Sequence, residues 1–148
     1  MRDYLYPFEA QIREYEKGDH DIIDQAILLW NILYYVVAEY RKRHEQWIFL
    51  RHEDISRDPL THFQDLFARL DLEFSPQVKS VIQEYSAPSN PREVPVEWAY
   101  ALRRNSKSAI WNWKDRLTES EIARVRAGTW HIASCLLYTS DAADEGLG

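Results

Sequence analysis

Trp47-Ile48-Phe49-Leu50-Arg51-His52-Glu53-Asp54-Ile55-Ser56-Arg57-Asp58-Pro59 is the stretch whose reading decides the fold. Trp47 to Leu50 is a short, unbroken apolar run. Such a run suits a parallel strand buried on both faces better than an alternating, half-exposed one. A strand is therefore expected over 46–51. Asp58-Pro59 then opens a helix, with the carboxylate as N-cap and the proline at the first helical position, where no N–H is needed.

On either side the pattern is helical. Downstream, Leu60, Phe63, Leu66, Phe67 and Leu70 recur at helical spacing, and Ser75-Pro76 repeats the cap-and-proline device ahead of Val78, Val81 and Ile82. Upstream, residues 22–43 form the strongest helix. Ile23, Ile27, Trp30, Tyr34 and Val37 make one apolar stripe, and Ala26, Leu29, Leu33, Val36 and Tyr40 an adjacent one. So wide a face implies burial on more than one side. Asp19 or Asp21 can cap this helix, and Arg41-Lys42-Arg43-His44 suit the negative end of its dipole.

Residues 2–15 carry Leu5, Phe8, Ile12 and Tyr15 at helical spacing, ended by Gly18. Residues 86–95 hold Pro88, Pro91 and Pro95 among Ser and Asn and read as a loop. A short helix is expected over 96–104 and a loop over the basic segment after it. A last helix opens on the capping box Thr118-x-x-Glu121, with Ile122, Val125, Thr129 and Ile132 inward. One strand thus stands among several helices. It needs neighbours that the chain does not supply, so part of a sheet is expected to lie outside it.

The 148 residues suit a single domain. Hydrophobic residues at 45% can fill a core, and 28% charged residues with only 4 Gly fit a helix-rich fold. Six Trp, nine Tyr and five Phe supply rings for packing or for walls against planar ligands. No uninterrupted apolar run reaches the ~18 residues of a membrane span, so none is expected. The start, Met1-Arg2-Asp3-Tyr4-Leu5-Tyr6-Pro7, lacks the apolar stretch of a signal peptide. A cytoplasmic location is the expectation if Met1 is the true start. His20, His44, His62 and His131 have no zinc-like spacing with Cys or carboxylates, and no metal is expected.

A net charge of −6 argues against a general nucleic-acid binder. It hides a local reversal. Within 101–116, Arg103, Arg104, Lys107, Lys114 and Arg116 accompany one acid, Asp115, so the segment is +4 and the remainder −10. Charge alone favours a solvated cluster. A basic island in an acidic chain also suits a specific anion.

Cys135-Leu136-Leu137-Tyr138-Thr139-Ser140-Asp141-Ala142-Ala143-Asp144-Glu145 resembles one reading frame of a common transposon-type sequencing adapter. Residues 135–148 are therefore expected to be a non-native tail. The native sequence would then run to Ser134, and arguments from the lone Cys135 would lapse.

Three landmarks in order carry a resemblance. The first is the stretch from Trp47 to Pro59. The second is Tyr85-Ser86-Ala87-Pro88-Ser89-Asn90-Pro91. The third is Arg104-Asn105-Ser106-Lys107, followed by Trp113-Lys114 and Leu117-Thr118. Together they resemble the C-terminal part of sulfotransferases that use 3′-phosphoadenosine-5′-phosphosulfate (PAPS), and the bacterial members most closely. The resemblance spans roughly residues 1–134. It implies an α/β, P-loop-like sulfotransferase fold, truncated here and mostly helical, with one parallel-type strand near 46–51.

The same resemblance implies an enzyme that moves a sulfuryl group from PAPS to a hydroxyl or amine and releases 3′-phosphoadenosine 5′-phosphate. This chain would supply the 3′-phosphate and adenine side of the site through His52, Ser86, Arg104, Asn105, Ser106, Lys107 and Lys114. Arg suits a phosphate because its planar fork donates paired, charge-assisted hydrogen bonds; Lys adds a point charge, and Asn and Ser add neutral donors. Arg103 and Arg104 cannot both face one ligand from a helix, and Arg104 is the candidate.

Three departures stand out. Cytosolic relatives have a Gly after the Arg-Lys pair and a shorter Arg-to-Trp spacing, and they often have Tyr where this chain has His52. His52 can stack on adenine or simply bond backbone at the strand end. Glu53 and Asp54 read as structural, since neighbours on a strand point apart. Trp111 and Trp113 read as packing residues more readily than as a nucleotide wall.

The family's Gly-rich 5′-phosphosulfate loop and its catalytic base have no counterpart here; the glycines are Gly18, Gly128, Gly146 and Gly148. Met1 is expected to be an internal methionine, and the chain alone to be inactive. Two other classes remain. One is a non-catalytic helical interaction module. The other is an RNA-binding segment that stacks bases on Trp111 and Trp113, which the acidity disfavours. The acceptor and the oligomeric state are not legible.

Overall fold

The computed structural model describes residues 2–93 and 102–136. The helices are α1 (Arg2–Leu5), α2 (Glu9–Tyr15), α3 (Ile22–Arg43), α4 (His52–Arg57), α5 (Pro59–Arg69), α6 (Pro76–Ser86), α7 (Ser106–Ala109) and α8 (Glu119–Leu136). Short 3₁₀ turns cover Tyr6–Phe8 and Asn112–Asp115. The chain divides into two compact units: Met1–Trp47 with Thr118–Gly148, and Ile48–Leu117.

The first unit is built on α3 and α8. Asp21 caps α3 by accepting from Ile23 N at 2.7 Å. Thr118 and Glu121 form the expected capping box of α8. Thr118 N donates to Glu121 Oε2 at 2.7 Å, and Glu121 N donates to Thr118 Oγ1 at 3.3 Å. The helices meet at Gly128, where an added Cβ would lie 2.7 Å from Ile27 Cγ2. Ile132 is buried beneath α8, and Ile122, Val125 and Thr129 are half-buried, as their spacing predicts. Arg124 ties the helix starts together through Asp21 at 2.5 Å and Asp24 at 3.2 Å. Arg41 donates to Leu136 O at 3.1 Å, satisfying a carbonyl that a helix end leaves open.

The N-terminal segment is less regular than its periodicity suggests. Pro7 sits in a 3₁₀ turn that separates α1 from α2. Phe8 is buried edge-on against Tyr35, and half-buried Tyr4 meets Tyr40 edge-on. By length and composition α3 is long and apolar enough to cross a membrane, with a mean hydropathy of 1.3 over its most apolar window. The sequence expectation of no span rested on an uninterrupted run; Asp24, Asn31 and Glu39 interrupt it without lowering the average far. The burial expected on several sides of α3 is not found: the face of Ala26, Leu29 and Leu33 is exposed.

The second unit corrects the fold expectation. No strand is present among the described residues, and Ile48 to Arg51 have no regular structure. The α/β, P-loop-like architecture with a parallel strand near 46–51 is therefore not seen; the described chain is helical. The reason is physical. A strand is held by a ladder of hydrogen bonds to a neighbour, and no described segment offers one. Phe49 and Leu50 stay more than a third exposed. Residues 52–57, not expected to be regular, form α4, so Glu53 and Asp54 occupy a helical first turn.

Both cap-and-proline helix starts are present. Asp58 accepts from Thr61 N and Ser75 from Val78 N, each at 3.3 Å. Between α5 and α6 the chain turns through Asp71 at φ 54°, a left-handed conformation that Asp tolerates better than most residues. Phe67 meets Phe74 edge-on at 5.4 Å beside an open apolar groove lined by Phe63, Val78, Val81 and Ile82. The helix expected over 96–104 falls mostly outside the described residues, and its described end, 102–104, is not helical. The loop expected over the basic segment instead contains α7 and the Asn112–Asp115 turn. Most of the tail, 137–148, also lies outside the described residues.

Candidate functional site

Three segments of the second unit converge: the last turn of α4, the loop after α6, and the stretch 103–108. Ser106 is the joint. Its hydroxyl donates to Ser56 O at 3.0 Å, with Ser86 O a longer second acceptor at 3.4 Å. Ser56 is buried, and its Oγ lies 3.3 Å from His52 Nε2 one turn earlier on α4. Arg104 N donates to Tyr85 O at 2.9 Å, and Asn105 N to Pro91 O at 3.0 Å. Asn90 bridges the end of α6 and the 102–105 segment from its side-chain amide, to Glu84 O at 2.7 Å and Arg104 O at 3.4 Å.

His52, Ser86, Arg104, Asn105 and Ser106 therefore belong to one hydrogen-bonded cluster, and Lys107 follows on α7. Within it several have work other than ligand contact. Asn105 donates to Pro88 O at 2.9 Å and accepts from Ser108 N at 3.1 Å as the cap of α7. The Ser86 hydroxyl turns back to Ile82 O at 2.7 Å. These two hold the loop in place. His52 and Lys107 are exposed and Arg104 is half-buried.

The cations of 101–116 divide. Arg103 is ion-paired with Glu84 and lies over the Tyr85 ring, its carbon 5.8 Å from the centroid. Arg116 pairs with Glu93 at 2.9 Å. Lys114 lies over two indoles, with Nζ 4.3 Å from the Trp111 centroid and 5.5 Å from that of Trp113. The chain's own ammonium thus occupies both indoles, which counts against their use as base-stacking platforms. Arg92 fastens the segment before the cluster, through Asn112 Oδ1 and through Asp115 at 2.8 Å.

Ser56, Asn90 and Arg92 are the cluster residues that sequence reasoning missed. Ser56 lies within the first landmark and Asn90 within the second. Ser56 and Arg92 act through backbone or through distant partners and leave no local pattern. The resolved shifts in acidity lie at helix ends and surface pairs instead of in the cluster. Backbone hydrogen bonding from Ile23 lowers Asp21, and from Thr118 lowers Glu121. The side chain and then the backbone of Thr61 lower Asp58. Among the described residues no group of three or more His, Cys, Asp or Glu is placed to hold a metal.

For a phosphate-bearing nucleotide the donor set fits in part. Arg104 and Lys107 have the right chemistry on a braced loop, whereas Asn105 and Ser86 are engaged in the bracing. Comparisons with protein-family models, with curated proteins and with solved structures find no match.

Proposed function

We propose that this chain contributes the 3′-phosphate and adenine side of a PAPS site in a sulfuryl-transfer enzyme. One observation carries the reading: Ser106 links the turn bearing His52 to the loop bearing Ser86, next to Arg104 and Lys107. All three sequence landmarks thereby meet at one hydroxyl, through contacts that do not depend on a strand at 46–51.

PAPS supplies the activated sulfuryl group when bound. In this reading Arg104 holds the 3′-phosphate through its guanidinium fork, and Lys107 adds a second positive charge one residue beyond Ser106. His52 offers its exposed ring to the base. Ser86, Asn90 and Asn105 fix the loop so that these groups lose little freedom on binding. The acceptor is a hydroxyl or an amine.

Calorimetric titration with 3′-phosphoadenosine 5′-phosphate tests this, with adenosine 5′-phosphate as the control lacking the 3′-phosphate. Binding should weaken at least tenfold for the control and for an Arg104→Ala/Lys107→Ala variant, about 1.4 kcal/mol. Equal affinity in all three experiments rejects the reading.

A helical interaction module is the second reading. The exposure of Leu29, Leu33 and Trp130, each above half, favours it.

A further inference from the structure

Arg103 makes contacts on two sides. Its guanidinium is ion-paired with Glu84 and lies over the Tyr85 ring, both in the last turn of α6. Its carbonyl accepts from Arg104 Nη1 at 3.3 Å, so the backbone of one arginine holds the guanidinium of the next. Backbone contacts join the same two segments. Arg104 N donates to Tyr85 O at 2.9 Å, and the Asn90 amide spans Glu84 O and Arg104 O. Residues 102–105 have no regular structure, so contacts of this kind, and not a helix or a ladder, set where Arg104 points.

We infer that Arg103 is a positioning residue: clamped by Glu84 and Tyr85, it holds Arg104 in place for a 3′-phosphate without touching the ligand itself, and this rests on the PAPS-site reading. The Arg103 charge is already met by a carboxylate, which suits a clamp better than an anion ligand. An exposed ion pair and a cation–π contact are each weak. Here both act on one side chain, whose own carbonyl restrains Arg104. Fixing a long side chain before the ligand arrives spares freedom that binding would otherwise remove. Loosening the clamp lowers the fraction of molecules ready to bind, and affinity falls with that fraction.

Charge separates positioning from direct binding. Glu84→Gln removes a negative charge and releases the Arg103 cation. Were Arg103 itself a phosphate ligand, the variant would bind an anion more tightly. As a positioning residue it loses its clamp, and binding weakens.

3′-Phosphoadenosine 5′-phosphate is titrated by calorimetry into the unaltered chain, Glu84→Gln and Arg103→Ala, and exchange of the Arg104 amide is followed by NMR. Both variants should bind roughly threefold more weakly, or worse, and exchange that amide faster by a similar factor. Far-UV circular dichroism should be unchanged, because both substituted side chains are about half exposed. Arg103→Lys keeps a cation for Glu84 and Tyr85 and should recover most of the loss. In an Arg104→Ala background Glu84→Gln should cost nothing further, since no guanidinium is left to position. The inference is overturned if Glu84→Gln tightens binding or leaves it unchanged, or if its cost persists in full without Arg104. It is also overturned if the Arg104 amide of Arg103→Ala exchanges at the unaltered rate, a result that needs no ligand. Absence of binding by the unaltered chain rejects the PAPS-site reading, whereas normal binding with unmoved variants rejects this inference alone.

Discussion

Asn31 and Gly128 lie 97 residues apart in sequence, yet the Asn31 side-chain amide donates to the Gly128 carbonyl at 2.9 Å. Asn31 is 7% exposed, and its Oδ1 has no hydrogen-bond partner. The bond fixes the register of α3 against α8. It also leaves one buried acceptor unsatisfied, and burying a polar atom without a partner is costly. Asn31→Asp keeps the shape but replaces the donor with an acceptor facing the Gly128 carbonyl. At neutral pH it should lower stability by about 3 kcal/mol, read as a fall in the midpoint of thermal unfolding. An unchanged midpoint would show that the bond does not hold the pair together.

Gly128 itself is set by proximity. An added methyl would meet Ile27 Cγ2 at 2.7 Å and Cδ1 at 3.2 Å, and Cγ2 is too near the backbone to swing away. Overpacking of this kind costs roughly 1–3 kcal/mol, partly offset by the better helix propensity of Ala over Gly, about 1 kcal/mol. Gly128→Ala should therefore be mildly destabilising in chemical denaturation. Ile27→Ala should recover part of the loss when combined with it.

Acid should loosen the helix starts. The side chains of Asp21, Asp58 and Glu121 each accept hydrogen bonds at a helix N-terminus, and their acidities are shifted to lower pH. A lowered folded-state value means that the folded state binds fewer protons than the unfolded chain. The stabilisation is then complete above the unfolded carboxylate range, roughly pH 4, and is lost as pH falls through the lower folded values. Helicity followed by circular dichroism should hold from pH 7 to 5 and decline below. Asp58→Asn should flatten part of that decline. A profile insensitive to the substitution would remove Asp58 from the account.

The loop cluster makes a prediction of its own. Asn105→Asp keeps the acceptor that caps α7 but loses the donor to Pro88 O. It should raise amide hydrogen exchange across 86–91 while leaving 106–109 nearly unchanged. Asn105→Ala should raise both, since a lost cap costs about 1 kcal/mol.

Helix starts were legible in the sequence because they are local. Asp21, Asp58-Pro59, Ser75-Pro76 and the Thr118 box each act within three residues, and each is found. The reading of Trp47 to Leu50 as a strand failed because a strand is a relationship between segments. An apolar run states what would be buried but not what is there to pair with it. The sequence favours Arg104 over Arg103 but gives no partner for the arginine set aside. Glu84, nineteen residues upstream, engages Arg103, and only the folded loop reveals that. Lys114 enters the phosphate set only through the Trp113-Lys114 resemblance, and its contact with the Trp111 ring is visible only in the folded loop.

His52, Ser86, Arg104 and Ser106 share one hydrogen-bonded cluster, with Lys107 next along the chain, and one titration tests whether these residues bind a 3′-phosphate. 3′-Phosphoadenosine 5′-phosphate is titrated into the unaltered chain and into Arg104→Ala/Lys107→Ala by calorimetry. Saturable one-to-one binding is expected for the first and at least a tenfold loss for the second, with circular dichroism unchanged. No heat of binding to the unaltered chain, or identical affinities for the two proteins, would contradict it.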